Sequence, residues 1–201
     1  MYEGNETGVV AISTVSGGSA NESGTPQEVT ITINDNESAP TVTLSSSATS
    51  ISEDAGSSLT LTATLSVATT ADVTVGISTS GTGTEGTDYS TISDITISAG
   101  ATTGTASFTP TDDNIYEGNE TGIVAIDTVS GGSATEDGTQ SVTITINEDE
   151  TAPVVNLSIN NSSIAENSDG TITVTATLSF ATIINTTVVI DTSGTATEGT
   201  D

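Results

Sequence analysis

Every side chain in this sequence that could hold an ion or move a proton is a carboxylate, a hydroxyl or an amide. The chain has 27 Asp and Glu but no Lys, Arg, His or Cys. The acids are bunched. Thirteen of the 27 fall at Glu53-Asp54, at Glu85 with Asp88, at Asp112-Asp113, at Glu117 with Glu120, and in two runs, NDNE at 34–37 and NEDE at 147–150, while others, such as Asp72, Asp94 and Asp127, are isolated. Residues 41–52, 55–71 and 95–111 contain none. Two carboxylates about 5 Å apart repel by roughly 3 kcal/mol at an effective dielectric near 20. No cation in the chain relieves that repulsion, and a bound divalent ion would turn it into attraction. Hard oxygen ligands without nitrogen or sulfur suit Ca²⁺, which takes 6–8 oxygens in flexible geometry; Mg²⁺ is the weaker candidate.

The missing residue types exclude other chemistry. Without imidazole or thiol there is no histidine base, no cysteine nucleophile, and no nitrogen or sulfur ligand for zinc or copper. A serine nucleophile would lack its base, so no catalytic group is assigned and an enzyme is not expected. Without basic residues nothing neutralises phosphate, which argues against nucleic acid and anionic membrane surfaces. No apolar run approaches the roughly 20 residues of a membrane span, so no membrane insertion is expected. N-x-S/T sequons such as Asn119-Glu120-Thr121 arise by chance in a chain with this much Ser and Thr, and carry little weight.

The elements that must position these acids repeat along the chain. The opening MYEGNETGVVAISTVSGGSA returns from Ile115 as IYEGNETGIVAIDTVSGGSA. Tyr2 recurs as Tyr116, 114 residues on, whereas ISTSGTGTEGTD ending at Asp88 recurs as IDTSGTATEGTD ending at Asp201, 113 residues on. The one-residue slip falls in a turn, where length changes are tolerated. The sequence therefore reads as the tail of one unit (1–38), a complete unit (39–151) and the head of a third (152–201), with both ends cutting through a repeat. A period near 113 suits one domain rather than a solenoid coil.

Within the unit the hydrophobic period is two. Leu59, Leu61, Ala63 and Leu65 alternate with Thr60, Thr62 and Thr64; Val73, Val75 and Ile77 repeat the pattern, as do Val142, Ile144 and Ile146. β-Branched residues dominate these runs, and Gly, Asn and Asp punctuate them, as in SEDAGS and SGGSATEDG. Ile, Val, Leu and Phe supply only about a fifth of the chain, so each core is small, and Thr and Ser furnish a polar, uncharged outer face. The pattern predicts an all-β fold: an antiparallel, immunoglobulin-like β-sandwich of Greek-key type, in tandem repeats. In such a sandwich strand ends collect at two poles, where acids from distant loops can meet. The half-units would expose unpaired strand edges.

Taken together, SISEDAGSSLTLTATLS, VTVGISTSGTGTEGTDYS, SFTPTDDNIYEGNETGIVAI and SVTITINEDE resemble the Calx-beta domain, and the likeness runs through the whole unit and both partial ones. The resemblance implies a seven-stranded, two-sheet sandwich with Ca²⁺ sites at one end. Similar modules serve as the calcium sensor of sodium–calcium exchangers and form tandem arrays in large bacterial surface proteins. Carried across by motif, the implied metal ligands are Glu53, Asp88, Asp112, Asp113 and Glu117, with Glu85 completing the cluster. The exchanger sensor has a third Asp where this chain has Asn114. Glu166, Glu198 and Asp201 remain in the third unit, but only the middle unit can hold a complete set.

The function expected from the sequence is a calcium-binding stalk repeat of a large secreted or cell-surface protein, such as a bacterial adhesin. Its partners would be neighbouring repeats of the same chain, and a surface or matrix ligand reached through other domains. The acidic junctions raise a further possibility, an inter-domain ion site using Asp35, Glu37, Asp149 and Glu150. Two alternatives come from other classes: a calcium-sensing regulatory module, and a Thr-ladder surface that binds a ligand or ice.

Overall fold

The computed structural model describes residues 1–24 and 27–196. In it the predicted strands form, and the middle unit closes as a two-sheet immunoglobulin-like sandwich. One sheet carries β3 (Thr41–Ser46), β5 (Leu59–Leu65), β8 (Thr103–Phe108) and the short β11 (Thr135–Glu136), in the order β11-β3-β5-β8. The other carries β4 (Ser50–Ser52), β6 (Val73–Gly81), β7 (Ile95–Ile97), β10 (Glu120–Ser130) and β12 (Ser141–Asn147), in the order β4-β12-β10-β6-β7. The pairing is antiparallel except at two short edges, where β4 runs parallel to β12 and β11 parallel to β3. Those parallel edges depart from the purely antiparallel expectation. The β4–β12 edge arises because the first strand of the unit splits at residues 47–49 and lends its second half to the opposite sheet, and the β11–β3 edge forms where the connection between β10 and β12 crosses to the first half.

Alternation builds the core. Val42, Leu61, Ala63, Val73, Val75, Ile95, Ile97, Phe108, Val124 and Ile144 are fully buried. Tyr89 joins them, its ring stacked on Phe108 with centroids 4.6 Å apart. Gly122 leaves room for that pair, since a Cβ there would sit 2.7 Å from the Phe108 ring. The alternation breaks once. Opposite Gly76 and Ile77 the register of β10 shifts between Ile126 and Thr128, leaving Asp127 as the extra residue of a β-bulge. Ile77, opposite Ile126 at the bulge, is only half-buried.

The flanking units appear as hairpins. β1 (Glu6–Ala11) pairs with β2 (Glu28–Ile33) in the register that β10 and β12 use, Glu6 facing Ile33 as Glu120 faces Ile146. β13 (Val155–Ile159) pairs with β14 (Val174–Leu178) as β3 pairs with β5, Val155 facing Leu178 as Val42 faces Leu65. Their apolar side chains, including Val29, Ile31, Leu157 and Ile159, are exposed. The sheet of one unit also touches the next: β9 (Ile115–Tyr116) pairs in parallel with β15 (Ala181–Thr182).

Candidate metal centre

The ends of β4, β6, β8 and β12 and the start of β10 meet at one pole of the middle sandwich, because antiparallel neighbours alternate direction. Four of its acids continue the inward-facing period of a strand beyond the point where the core ends. Ile51 is buried, and Glu53 two residues on keeps that face and is only 7% exposed. Ile144 and Ile146 face the core, and Glu148 and Glu150 extend their row, half-buried, while Asp149 between them is exposed. Val124 and Gly122 face inward, and Glu120 precedes them by the same step.

Strand pairing then brings these rows together. β4 and β12 run parallel with Ser52 opposite Asn147, and the Glu53 amide donates to the Asn147 carbonyl at 3.0 Å. Asp88 arrives by another route. Its carboxylate accepts the Thr84 amide at 2.6 Å, the buried Tyr89 ring anchors the next residue, and the Asp88 carbonyl accepts the Thr111 amide at 2.9 Å. That last bond ties the TEGTD loop to the segment carrying Asp112 and Asp113.

Two carboxylate groups result. Glu53, Glu148, Asp149 and Glu150 each offer an oxygen within 4.8 Å of the others, and Asp88, Glu117 and Glu120 do likewise. They are electrically continuous. Burial, followed by the charges of Glu148, Glu150, Asp113 and Glu117, pushes the Glu53 carboxyl up to about 7. Burial and the neighbouring Asp88 and Glu117 push Glu120 up to about 7. A hydrogen bond shared with Glu148, together with burial, does the same for Glu150, also to about 7. Glu117 is raised by burial and by Asp88, Asp113 and Glu148. Burial acts upward on Glu148 too, but its bonds to the Glu117 amide, to Glu150 and to the Gly118 amide prevail and hold it below the usual range. Without a counter-ion this pole retains protons at neutral pH that free carboxylates would release.

The donor set fits a hard cation. Oε2 of Glu150 is buried and has no hydrogen-bond partner. A buried acceptor normally finds a donor or an ion, and no Lys, Arg or His exists in the chain to supply one. Among the described residues the single ion pair lies elsewhere, between the chain amine and Glu37 at 3.1 Å.

The sequence-predicted residues divide accordingly. Glu53 stands in the first group; Asp88 and Glu117 stand in the second. Asp113 belongs to neither, but its charge acts on Glu53 and Glu117 while its carboxylate accepts the Ile115 amide at 2.6 Å. Asp112 is exposed, and its charge, with that of Asp54, raises Asp149 after burial has done so. Glu85 stands apart: one oxygen accepts the Thr79 hydroxyl at 2.6 Å and the other the Ile92 amide at 2.7 Å, so it braces the loop. Asp149 and Glu150, expected at the junction, sit in the pole with Glu53. Glu120 and Glu148 had no place in the expected cluster, although extending the period of two from Val124 and Ile146 finds both. Glu198 and Asp201 lie outside the described residues.

Fold and site together define a tandem β-sandwich module with a carboxylate pole. The family model for the Calx-beta domain matches residues 1–37 and 35–150, and the chain belongs to that family. Calx-beta domains are a calcium-binding, regulatory or sensor type of module. Two solved structures are similar to it. One is the apo-form Calx CBD1 domain, at 16% identity and a TM-score of 0.45, covering 55% of this chain and 99% of that one. The other is CBD12 from CALX1.2, at 16% identity and a TM-score of 0.44, covering 53% and 44% respectively. No curated protein matches the sequence.

Proposed function

We propose that the chain is a calcium-binding structural segment of a larger extracellular or cell-surface protein, in which Ca²⁺ at the carboxylate pole stabilises each sandwich of a tandem stalk. The observation that carries the metal reading is the buried, partnerless Oε2 of Glu150 among Glu53, Glu148 and Asp149. Those four residues would hold one ion, and Asp88, Glu117 and Glu120 a second, with Asp113 close to both. The ion supplies charge neutralisation; the chain supplies an all-oxygen cradle whose Glu53 and Asp88 are already withdrawn from water. Family membership supports calcium in particular. Near-identical repeats and an acidic, cation-free surface support the stalk and its placement outside the cell.

A thermal melt of the full chain in EDTA, Ca²⁺ and Mg²⁺ tests this. An ion at a hundred times its dissociation constant adds about 2.7 kcal/mol per site, which raises the midpoint by several degrees in a domain of this size. A rise specific to Ca²⁺ supports the reading. The same gradual rise in any salt means screening alone and removes it. Regulatory sensing, the other reading the family supports, uses the same residues and is distinguished by reversible micromolar affinity with a structural change.

A further inference from the structure

The same contact between successive units occurs twice in this chain. Near its start, Tyr2 forms a parallel bridge with Thr69, and the Tyr2 amide donates to the Ala68 carbonyl at 2.9 Å. Further on, Ile115 and Tyr116 pair in parallel with Ala181 and Thr182. Tyr2 and Tyr116 are equivalent positions, and so are Thr69 and Thr182. In both places the Tyr-Glu-Gly segment of one unit meets the Ala-Thr bend of the next, in one register.

Each side of the contact is held by its own unit. On the donor side a junction carboxylate clamps the turn behind the tyrosine. Asp35 Oδ2 accepts the amides of Glu3 and Gly4 at 2.7 and 2.6 Å, and Glu148 Oε2 accepts those of Glu117 and Gly118, both at 2.6 Å. An asparagine closes each clamp, Asn5 accepting the Asp35 amide and Asn119 the Glu148 amide. Gly4 and Gly118 adopt φ of 78° and 81°, which this turn requires. On the receiving side the threonine hydroxyl folds the bend onto itself, Thr69 donating to the Ala71 carbonyl at 2.6 Å and Thr182 to that of Ile184 at 2.7 Å. Thr69 is fully buried, and a Cβ on Gly132 would lie 2.8 Å from its methyl group. The Thr69 carbonyl takes the Gly100 amide, so the Ala68 carbonyl faces the preceding unit.

We propose that this pair of edges is the repeat-to-repeat joint: a preformed docking surface on the Ala-Thr bend whose partner is the Tyr-Glu-Gly segment of the preceding copy. The recognition is by backbone hydrogen bonds, so register rather than side-chain identity sets the angle between units. The joint itself uses no ion, and its first copy, clamped by Asp35, lies apart from the carboxylate pole, whereas Glu148, the clamp of the second copy, also belongs to that pole.

The absence of cysteine lets two engineered thiols carry spin labels without background. Labels at Thr30→Cys in the first hairpin and Thr143→Cys on β12, in the full chain with EDTA, report the distance between units. The expected result is one narrow distance distribution that Tyr2→Phe preserves and Tyr2→Pro, which lacks the donating amide, abolishes. Amide exchange provides the second reading, with Tyr2 and Tyr116 both slowed. A broad distribution in the parent, equal widths with Tyr2→Phe and Tyr2→Pro, or unprotected Tyr2 and Tyr116 amides would each overturn the joint.

Discussion

Glu53 and Glu148 leave the same edge of the five-stranded sheet side by side, because Ser52 lies opposite Asn147 in a parallel pair. Residues 95 positions apart in sequence thereby place like charges together, the Glu148 charge adding to burial in raising Glu53, with no basic side chain to separate them. The sign of most measurable effects in this protein follows from that arrangement.

Without a divalent ion, stability should fall as pH rises. Glu53, Glu120 and Glu150 keep their protons up to about 7 in the folded chain, against 4.5 when unperturbed. The folded state therefore binds more protons between those values, and the stability these three groups contribute is fully present below pH 4.5 and lost as pH climbs through about 7. Saturating Ca²⁺ should reverse the trend in that window, since binding needs the carboxylates ionised. Thermal midpoints from pH 4.5 to 8, in EDTA and in Ca²⁺, check both slopes.

Glu53→Gln should separate the cost of the charge from its use. In EDTA at pH 7.5 the variant loses a buried carboxylate and gains stability on the order of 2 kcal/mol. With Ca²⁺ it loses most of the stabilisation that the parent gains. Urea unfolding with and without the ion measures the two effects on one protein.

Glu85→Ala should behave in the opposite way. Both of its oxygens are occupied by the Thr79 hydroxyl and the Ile92 amide, so removing them destabilises the sandwich by about 1–3 kcal/mol. The increment due to Ca²⁺ should remain as in the parent. A lost Ca²⁺ increment would return Glu85 to the ligand set.

Gly122→Ala tests the anchor beneath the pole. The new methyl would meet the Phe108 ring at 2.7 Å, and such overpacking costs about 1–3 kcal/mol. Because Tyr89 stacks on Phe108 and directly follows Asp88, Ca²⁺ affinity should weaken along with stability. Calorimetric titration beside a thermal melt reads both.

The sequence by itself determined the strands, the repeat and the direction in which the acids point. Period-two alternation is a local property of an extended chain, so Leu61, Ala63 and Leu65 were bound to share a face whatever they packed against. The same rule carries Ile51 to Glu53, Ile146 to Glu148 and Val124 back to Glu120. The Calx-beta motifs were legible for the same reason, being runs of strand and turn.

Only the tertiary structure decided which acids meet. The parallel β4–β12 edge joins the junction to the first loop, and nothing in residues 47–58 announces that the strand changes sheets there. Glu148 thus reads as part of a linker until pairing puts it beside Glu53. Glu85 reads as a ligand from its motif, whereas in the fold its oxygens accept the Thr79 hydroxyl of β6 and the Ile92 amide and it stands in neither carboxylate group. Facing is set residue by residue along the backbone, whereas neighbourhood depends on long-range pairing, and a carboxylate's role here follows from its neighbours.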